Sequence, residues 1–187
     1  MKRLLNVLCV LAMAVSFTAC SSNGGNGEAT STSSTTGSGV EDGVLTIAME
    51  CAYAPYNWTQ TDDSNGAVPI KGTNEYANGY DIMIAKKICE ANNWELEVIR
   101  SDWDSLVPSV QTGVIDAAIA GQSMTKERSE QVDFAGPYYY ASFAILVKKD
   151  SELANLTSIH DFGGYKGTAQ LATIWYTECL PQMDDVT

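Results

Sequence analysis

The chain has 187 residues, 23 of them acidic against 11 basic, for a formal net charge of −12. So acidic a chain is a poor partner for nucleic acid or for an anionic membrane surface, both of which reward clustered Lys and Arg. One histidine, His160, and five widely spaced cysteines exclude a His-rich metal centre and a disulfide-dense scaffold.

In chain order, Lys2 and Arg3 precede an apolar run from Leu4 to Phe17. That run is shorter than the ~20 residues a transmembrane helix needs, and it predicts a signal peptide over residues 1–19. Phe17-Thr18-Ala19-Cys20 resembles a bacterial lipobox, which implies a lipid on Cys20 and attachment to the membrane from its outer side. Residues 20–42 are dominated by Ser, Thr and Gly, too polar to offset the entropy of ordering, and are expected to form a tether.

Alternating elements follow. Val44 to Met49 predicts a strand, and the segment after it, punctuated by Pro55, Asn65-Gly66, Pro69 and Asn78-Gly79, predicts a long loop. Asp81 to Ala91 predicts a helix with Ile84, Ala85, Ile88 and Cys89 facing inward. Trp94, Leu96 and Val98 alternate with glutamates as in a half-exposed strand. Ser105 to Thr112 predicts a second helix closed by Gly113. The apolar run Val114 to Ala120 is short enough for a buried parallel strand, and Thr125 to Gln131 predicts a charged helix. Further strands are expected at Tyr139–Lys148 and Gly167–Gln170, with a helix opening at Thr173. Strand and helix in alternation predict an α/β layer fold. Cys51, Cys89 and Cys179 are expected as free thiols, with a Cys51–Cys89 bridge as the alternative.

Several segments in this order resemble the solute-binding proteins of polar amino-acid ABC transporters, the family 3 group. They are GYDIMIAKKICEAN from Gly79, AYAPYNW from Ala52, WDSLVPSVQTGVIDAAIAG from Trp103, SMTKERSEQVDFAGPYYY from Ser123 and TAQLAT from Thr168. In the last, Ala172 stands where the family usually has Gly. The resemblance implies a type II periplasmic-binding fold with two lobes. The first is expected over residues 43–139, nearly complete, and a truncated part of the second over 140–187.

It also implies a site for an amino-acid zwitterion, both of whose charges must be met if desolvation is not to cancel binding. Arg128 would meet the carboxylate, as a planar guanidinium does best, with Thr173 at a helix start adding N–H donors. Gly121 and Ser123 would supply a carbonyl and a hydroxyl to the ammonium. Tyr53 and Trp103 would sandwich the side chain, and Glu50 would meet its polar end, favouring glutamine, arginine, lysine or histidine. The implied partners are that amino acid, an ABC permease and, through the lipid, the membrane; no metal, cofactor or nucleic acid is implied. Three other readings stand beside this one. They are a dehydratase on the same fold (resembling cyclohexadienyl dehydratase), the ligand domain of a sensor, and a truncated fragment that binds nothing.

Overall fold

The computed structural model describes residues 40–185. The signal peptide, Cys20 and all but the end of the tether lie outside the described residues. Among those described, no helix is long and apolar enough to cross a membrane.

Strand β1 (Val44–Met49) is the middle of a three-stranded parallel sheet, flanked by β6 (Glu95–Arg100) and β7 (Ala117–Ala118). Val44 stands opposite Glu95 and Met49 opposite Arg100, while Ile47 and Ala48 face Ala117 and Ala118 on the other side. Parallel neighbours require crossover connections. Here α1 (Tyr80–Asn92) leads into β6, and α2 (Leu106–Gln111) leads from β6 towards β7. Ile47, Met49, Val98, Ile82 and Leu106 are fully buried between these layers. Cys51, Cys89 and Cys179 are free thiols.

The segment expected to be a long loop instead forms a second sheet. It is four-stranded and antiparallel, with β2 (Ala52–Tyr53), β3 (Asn57–Gln60), β5 (Tyr76–Asn78) and β4 (Val68–Pro69) in that order. Its strands are two to four residues long, below the length at which alternation can be read, and Pro69 is tolerated because β4 is an edge. The inward stripe of α1 is also rotated from expectation. Ile82, Ala85 and Cys89 are buried with Asp81, whereas Ile88 is exposed and Ile84 only half-buried. The buried Asp81 carboxylate sets that rotation: its partners lie inward, so Ile82 turns in with it.

Other elements are shorter than predicted. A 3-10 turn at Trp103–Ser105 precedes α2, only Ala117–Ala118 of the 114–120 run joins the ladder, and the charged helix α3 spans Lys126–Ser129. Gly113 follows α2 at φ +69° with its N–H on the Val110 carbonyl, as a helix-closing glycine should. The strands expected at 139–148 and 167–170 are absent from the described structure. A strand exists only through a partner's backbone groups, and no described segment pairs with either; Leu146 is 98% exposed. From Thr173 the chain makes one turn, with the Thr177 N–H on the Thr173 carbonyl, then a π-helical stretch at Trp175–Cys179 rather than a regular α-helix. Phe162 and Met183 are the buried apolar side chains of that segment.

Gly79 is the tightest point of the fold. It opens α1 at φ +129°, and a Cβ there would overlap the Tyr56 carbonyl, which itself accepts from the Asp81 N–H at 2.9 Å. Neither backbone can retreat without breaking the start of α1. Gly79→Ala should therefore destabilise the chain by about 3 kcal/mol or more, read as a lowered urea midpoint at unchanged m-value.

Candidate functional site

Three chain exits meet beyond the carboxyl ends of the parallel sheet. β1 ends into Glu50, β6 runs through Arg100 to Trp103, and β7 leads to Gly121 and Ser123. Thr125 then caps α3, its hydroxyl accepting from the Arg128 N–H at 3.2 Å, and so fixes where the Arg128 side chain starts. From the C-terminal segment, the turn at 170–175 comes down on the same place.

One cavity is lined by all seven residues that the resemblance put forward: Glu50, Tyr53, Trp103, Gly121, Ser123, Arg128 and Thr173. Three residues that sequence reasoning did not put forward, Gln170, Ile174 and Trp175, complete the wall. The cavity is narrow, about 20 Å³, which is room for little more than one water. A wider groove of about 250 Å³ shares Trp103 and Arg128 with it and opens on their other side, past Val107, Gln122 and Glu178.

Arg128 is partly buried, and that burial pulls its pKa below the usual guanidinium value. Its charge is met by two carbonyls, Nη1 donating to Ser123 O at 2.8 Å and Nη2 to Ala172 O at 3.0 Å. The guanidinium carbon lies 5.4 Å from the Trp103 ring centroid, within cation–π range. Trp103 Nε1 donates to the same Ala172 carbonyl at 3.1 Å. Ala172 presents that carbonyl from a left-handed conformation, φ +57°, which explains why this position suits glycine.

The Glu50 carboxylate accepts from the Gln170 amide at 2.9 Å. Thr173 is buried, and both its N–H and its hydroxyl donate to the Gln170 carbonyl, at 3.4 and 2.6 Å. In this arrangement it braces the turn that presents Gln170 and Ala172, rather than pointing free donors into the cavity. Tyr53 stacks on Tyr56 at 4.9 Å between centroids and meets Trp175 edge-on at 6.3 Å. Among the described residues the two ion pairs, Lys71–Glu97 and Arg100–Glu75, lie elsewhere. No described group of His, Cys, Asp and Glu could hold a metal ion, and His160 is exposed in a 3-10 turn at Ile159–Phe162.

Beneath the cleft, Asp81 is fully buried. Its Oδ2 accepts from Asn57 Nδ2 at 2.8 Å and its Oδ1 from the Tyr138 hydroxyl at 2.7 Å. The Tyr138 oxygen in turn accepts from the Gly121 N–H at 3.0 Å. The signal for Asp81 was in the sequence as an acidic residue in the first turn of α1. In the sequence it stands inside the GYDIMIAKKICEAN segment, where nothing marks it as a buried group with partners.

A match to the family pattern runs over residues 45–175, and the chain belongs to the bacterial extracellular solute-binding proteins, family 3. It is 32% identical to the octopine-binding periplasmic protein of Rhizobium meliloti over 112 residues, 60% of this chain and 34% of that protein. Against the arginine-binding extracellular protein ArtP of Bacillus subtilis it is 28% identical over 176 residues, 93% of this chain and 58% of that one. Among solved structures, the L-arginine-bound ABC transporter substrate-binding protein AbpA from Streptococcus pneumoniae superposes with a TM-score of 0.63 at 33% identity. That superposition covers 78% of this chain and 58% of AbpA. An ancestral amino-acid-binding protein, AncCDT-1, a precursor of cyclohexadienyl dehydratase, gives a TM-score of 0.62 at 30% identity, over 78% of this chain and 60% of its own. The fold is thus the type II periplasmic-binding fold, of which this chain carries part. It spans between about a third and three-fifths of the length of the relatives it matches.

Burial raises the pKa of Asp81, although Asn57, Tyr138 and the Gly121 N–H all favour its charged form. The other titratable groups that face it are phenols, Tyr53, Tyr56 and Tyr138. A carboxyl whose folded pKa lies above the unfolded ~3.9 binds more protons when folded. Its contribution to stability therefore falls as pH rises from about 4 through the raised value. Asp81→Asn should remove that slope, so that the stability of wild type relative to the variant declines over this window in parallel urea titrations at stepped pH.

Proposed function

We propose that this chain is the substrate-binding component of an ABC importer, capturing a cationic amino acid, with L-arginine the first candidate, outside the membrane. One observation carries the reading: Arg128 and Glu50 line one cavity, and each is engaged by a protein group that imitates the matching part of such a ligand. The Ala172 carbonyl on Arg128 stands where a ligand carboxylate oxygen would sit. The Gln170 amide on Glu50 stands where a guanidinium or amide N–H would sit. Binding then exchanges one acceptor for another on Arg128 and one donor for another on Glu50, so neither charge is stranded during the exchange.

Tyr53 and Trp103 would flank the ligand's side chain, with Trp175 closing the wall, while the Gly121 carbonyl and the Ser123 hydroxyl would take its ammonium. A cavity of about 20 Å³ does not hold an amino acid, so uptake moves the turn at 170–175 outward. Arginine leads because ArtP is an arginine-binding protein, AbpA is bound to L-arginine, and a carboxylate facing a desolvated cation selects strongly for it.

The reading extends to the whole chain. Residues 43–139 would make the first lobe and 140–187 part of the second. Residues 1–19 would direct export and Cys20 would carry lipid, the protein lying on the outer side of the membrane and handing its ligand to a permease. The family is extracellular by description, and the relatives matched are binding proteins, which supports a binder over an enzyme.

A thermal-shift panel against the twenty amino acids tests this. A ligand at a hundred times its Kd should add about 2.7 kcal/mol of stability, and Arg128→Ala should abolish the shift while leaving the far-UV circular dichroism unchanged. Cooperative unfolding that no amino acid shifts would sink the proposal. Glu50→Gln separates the ligand classes: it should weaken arginine binding about tenfold or more and glutamine binding far less.

A further inference from the structure

The buried carboxylate behind the cleft has no part in the contacts assigned above, yet one of its two donors, Tyr138, connects it to Gly121 in the cavity wall. Asp81 lies in the first turn of α1, where the helix dipole favours a negative charge. Each of its oxygens receives one donor, Asn57 Nδ2 on Oδ2 and the Tyr138 hydroxyl on Oδ1. The Asn57 amide is spent entirely on this task, since its own Oδ1 is buried and takes no hydrogen bond. A reversed amide would set that oxygen against the carboxylate, so its orientation is fixed by charge.

A phenol has one proton. With that proton on Asp81, the Tyr138 oxygen is left as an acceptor, and the group that donates to it is the Gly121 N–H. The direction of the relay is therefore set from the carboxylate outward: carboxylate, hydroxyl, backbone amide. Gly121 needs such a restraint. It sits at φ +62°, in a loop that is exposed on one side, with the Tyr53 ring 3.3 Å from where a Cβ would stand. Tyr138 is held at a second point, its carbonyl accepting from the Tyr80 hydroxyl at 3.0 Å. It cannot follow a loop that drifts.

We infer that Asp81 and Tyr138 are positioning residues for the cleft, together fixing the Gly121 backbone so that its carbonyl stays aimed at the ligand ammonium. This rests on the amino-acid-binding reading and adds to it the pair that sets the geometry of one subsite. Neither residue touches the ligand. Both act through the Gly121 N–H, which anchors the backbone on the near side of the residue whose carbonyl faces the ligand.

The test uses the full chain and whichever of the twenty amino acids the wild type binds most tightly, measured by calorimetry. Tyr138→Phe keeps the ring and removes the relay. It should weaken binding about tenfold and speed exchange of the Gly121 amide by a similar factor, read by NMR. Asp81→Asn, which leaves the phenol without its anionic acceptor, should move both readouts in the same direction. Val98→Ala, a core truncation in β6 away from Gly121, should lower stability while leaving affinity and the Gly121 amide as in wild type. That separates positioning from general loosening. Equal affinity in wild type and Tyr138→Phe, or a Gly121 amide that exchanges alike in both, overturns the positioning role alone. A wild-type chain that takes up none of the twenty amino acids overturns the binding reading, and the positioning role with it.

Discussion

Parallel pairing on both sides of β1 is the constraint from which the site follows. Strands that run the same way end at the same edge, so Glu50, Trp103 and the Gly121–Ser123 loop are delivered together although they are far apart in sequence. In open parallel sheets, ligands bind outside the carboxyl ends of strands for this reason. The helices that make the crossovers cover the sheet faces and leave that edge free. What remains to be supplied is an opposing wall, and the turn at 170–175 supplies it.

Charge is handled differently at each position in the site. Arg128 is only partly withdrawn from water and takes two backbone carbonyls, which are strong acceptors without a counter-charge. Glu50 takes a neutral amide. Asp81, wholly buried, takes an amide and a phenol. None of the three is neutralised by an ion pair among the described residues, where the ion pairs join Glu97 and Arg100 of β6 to Lys71 and Glu75 at the half-exposed surface. A site that keeps opposite charges apart, each held by neutral partners, is prepared for a ligand that brings both signs. Had Arg128 and Glu50 been paired with each other, binding would first have to break the pair.

The elements that could be read from the sequence are those whose burial repeats over several turns or residues. β1, α1 and β6 qualify, because Ile47, Ile82, Ala85, Cys89 and Val98 are inside and their spacing carries the period. The antiparallel sheet from β2 to β5 could not be read, since strands of two to four residues show too little alternation and their turns carry Pro and Gly, which mimic a loop. The Tyr139–Lys148 segment shows the opposite error. Its aromatic and β-branched content looks like a strand, yet Tyr140 and Leu146 stay exposed because strand structure comes from a partner and not from composition. At the site, the chemistry-bearing residues carried a pattern that could be recognised, and all seven meet in one cavity. Gln170 was hidden by its ordinary polarity, and Asp81 by a sequence position where an acidic residue is unremarkable on helix-dipole grounds alone.

The two walls of the cavity rest on different foundations. Tyr53, Gly121 and Trp103 stand on or beside the sheets and α2, backed by the fully buried Met49 and Leu106. Gln170, Ala172 and Trp175 stand on turns whose own core is little more than Phe162 and Met183. Segments with few buried apolar contacts open at low free-energy cost, whereas core elements open only with global unfolding. Movement in the cleft therefore belongs to the 170–175 side. The hydrogen bonds it gives up on opening are few: those that Arg128 and Trp103 donate to Ala172 O, and the one that Gln170 donates to Glu50. A net hydrogen bond is worth about 1 kcal/mol and one to a charged group about 1.5–3 kcal/mol, so these three, two of them to charged groups, set a free-energy cost of opening of a few kcal/mol. They are also directional enough to bring the turn back to the same register, with Arg128 and Glu50 as the fixed points it returns to.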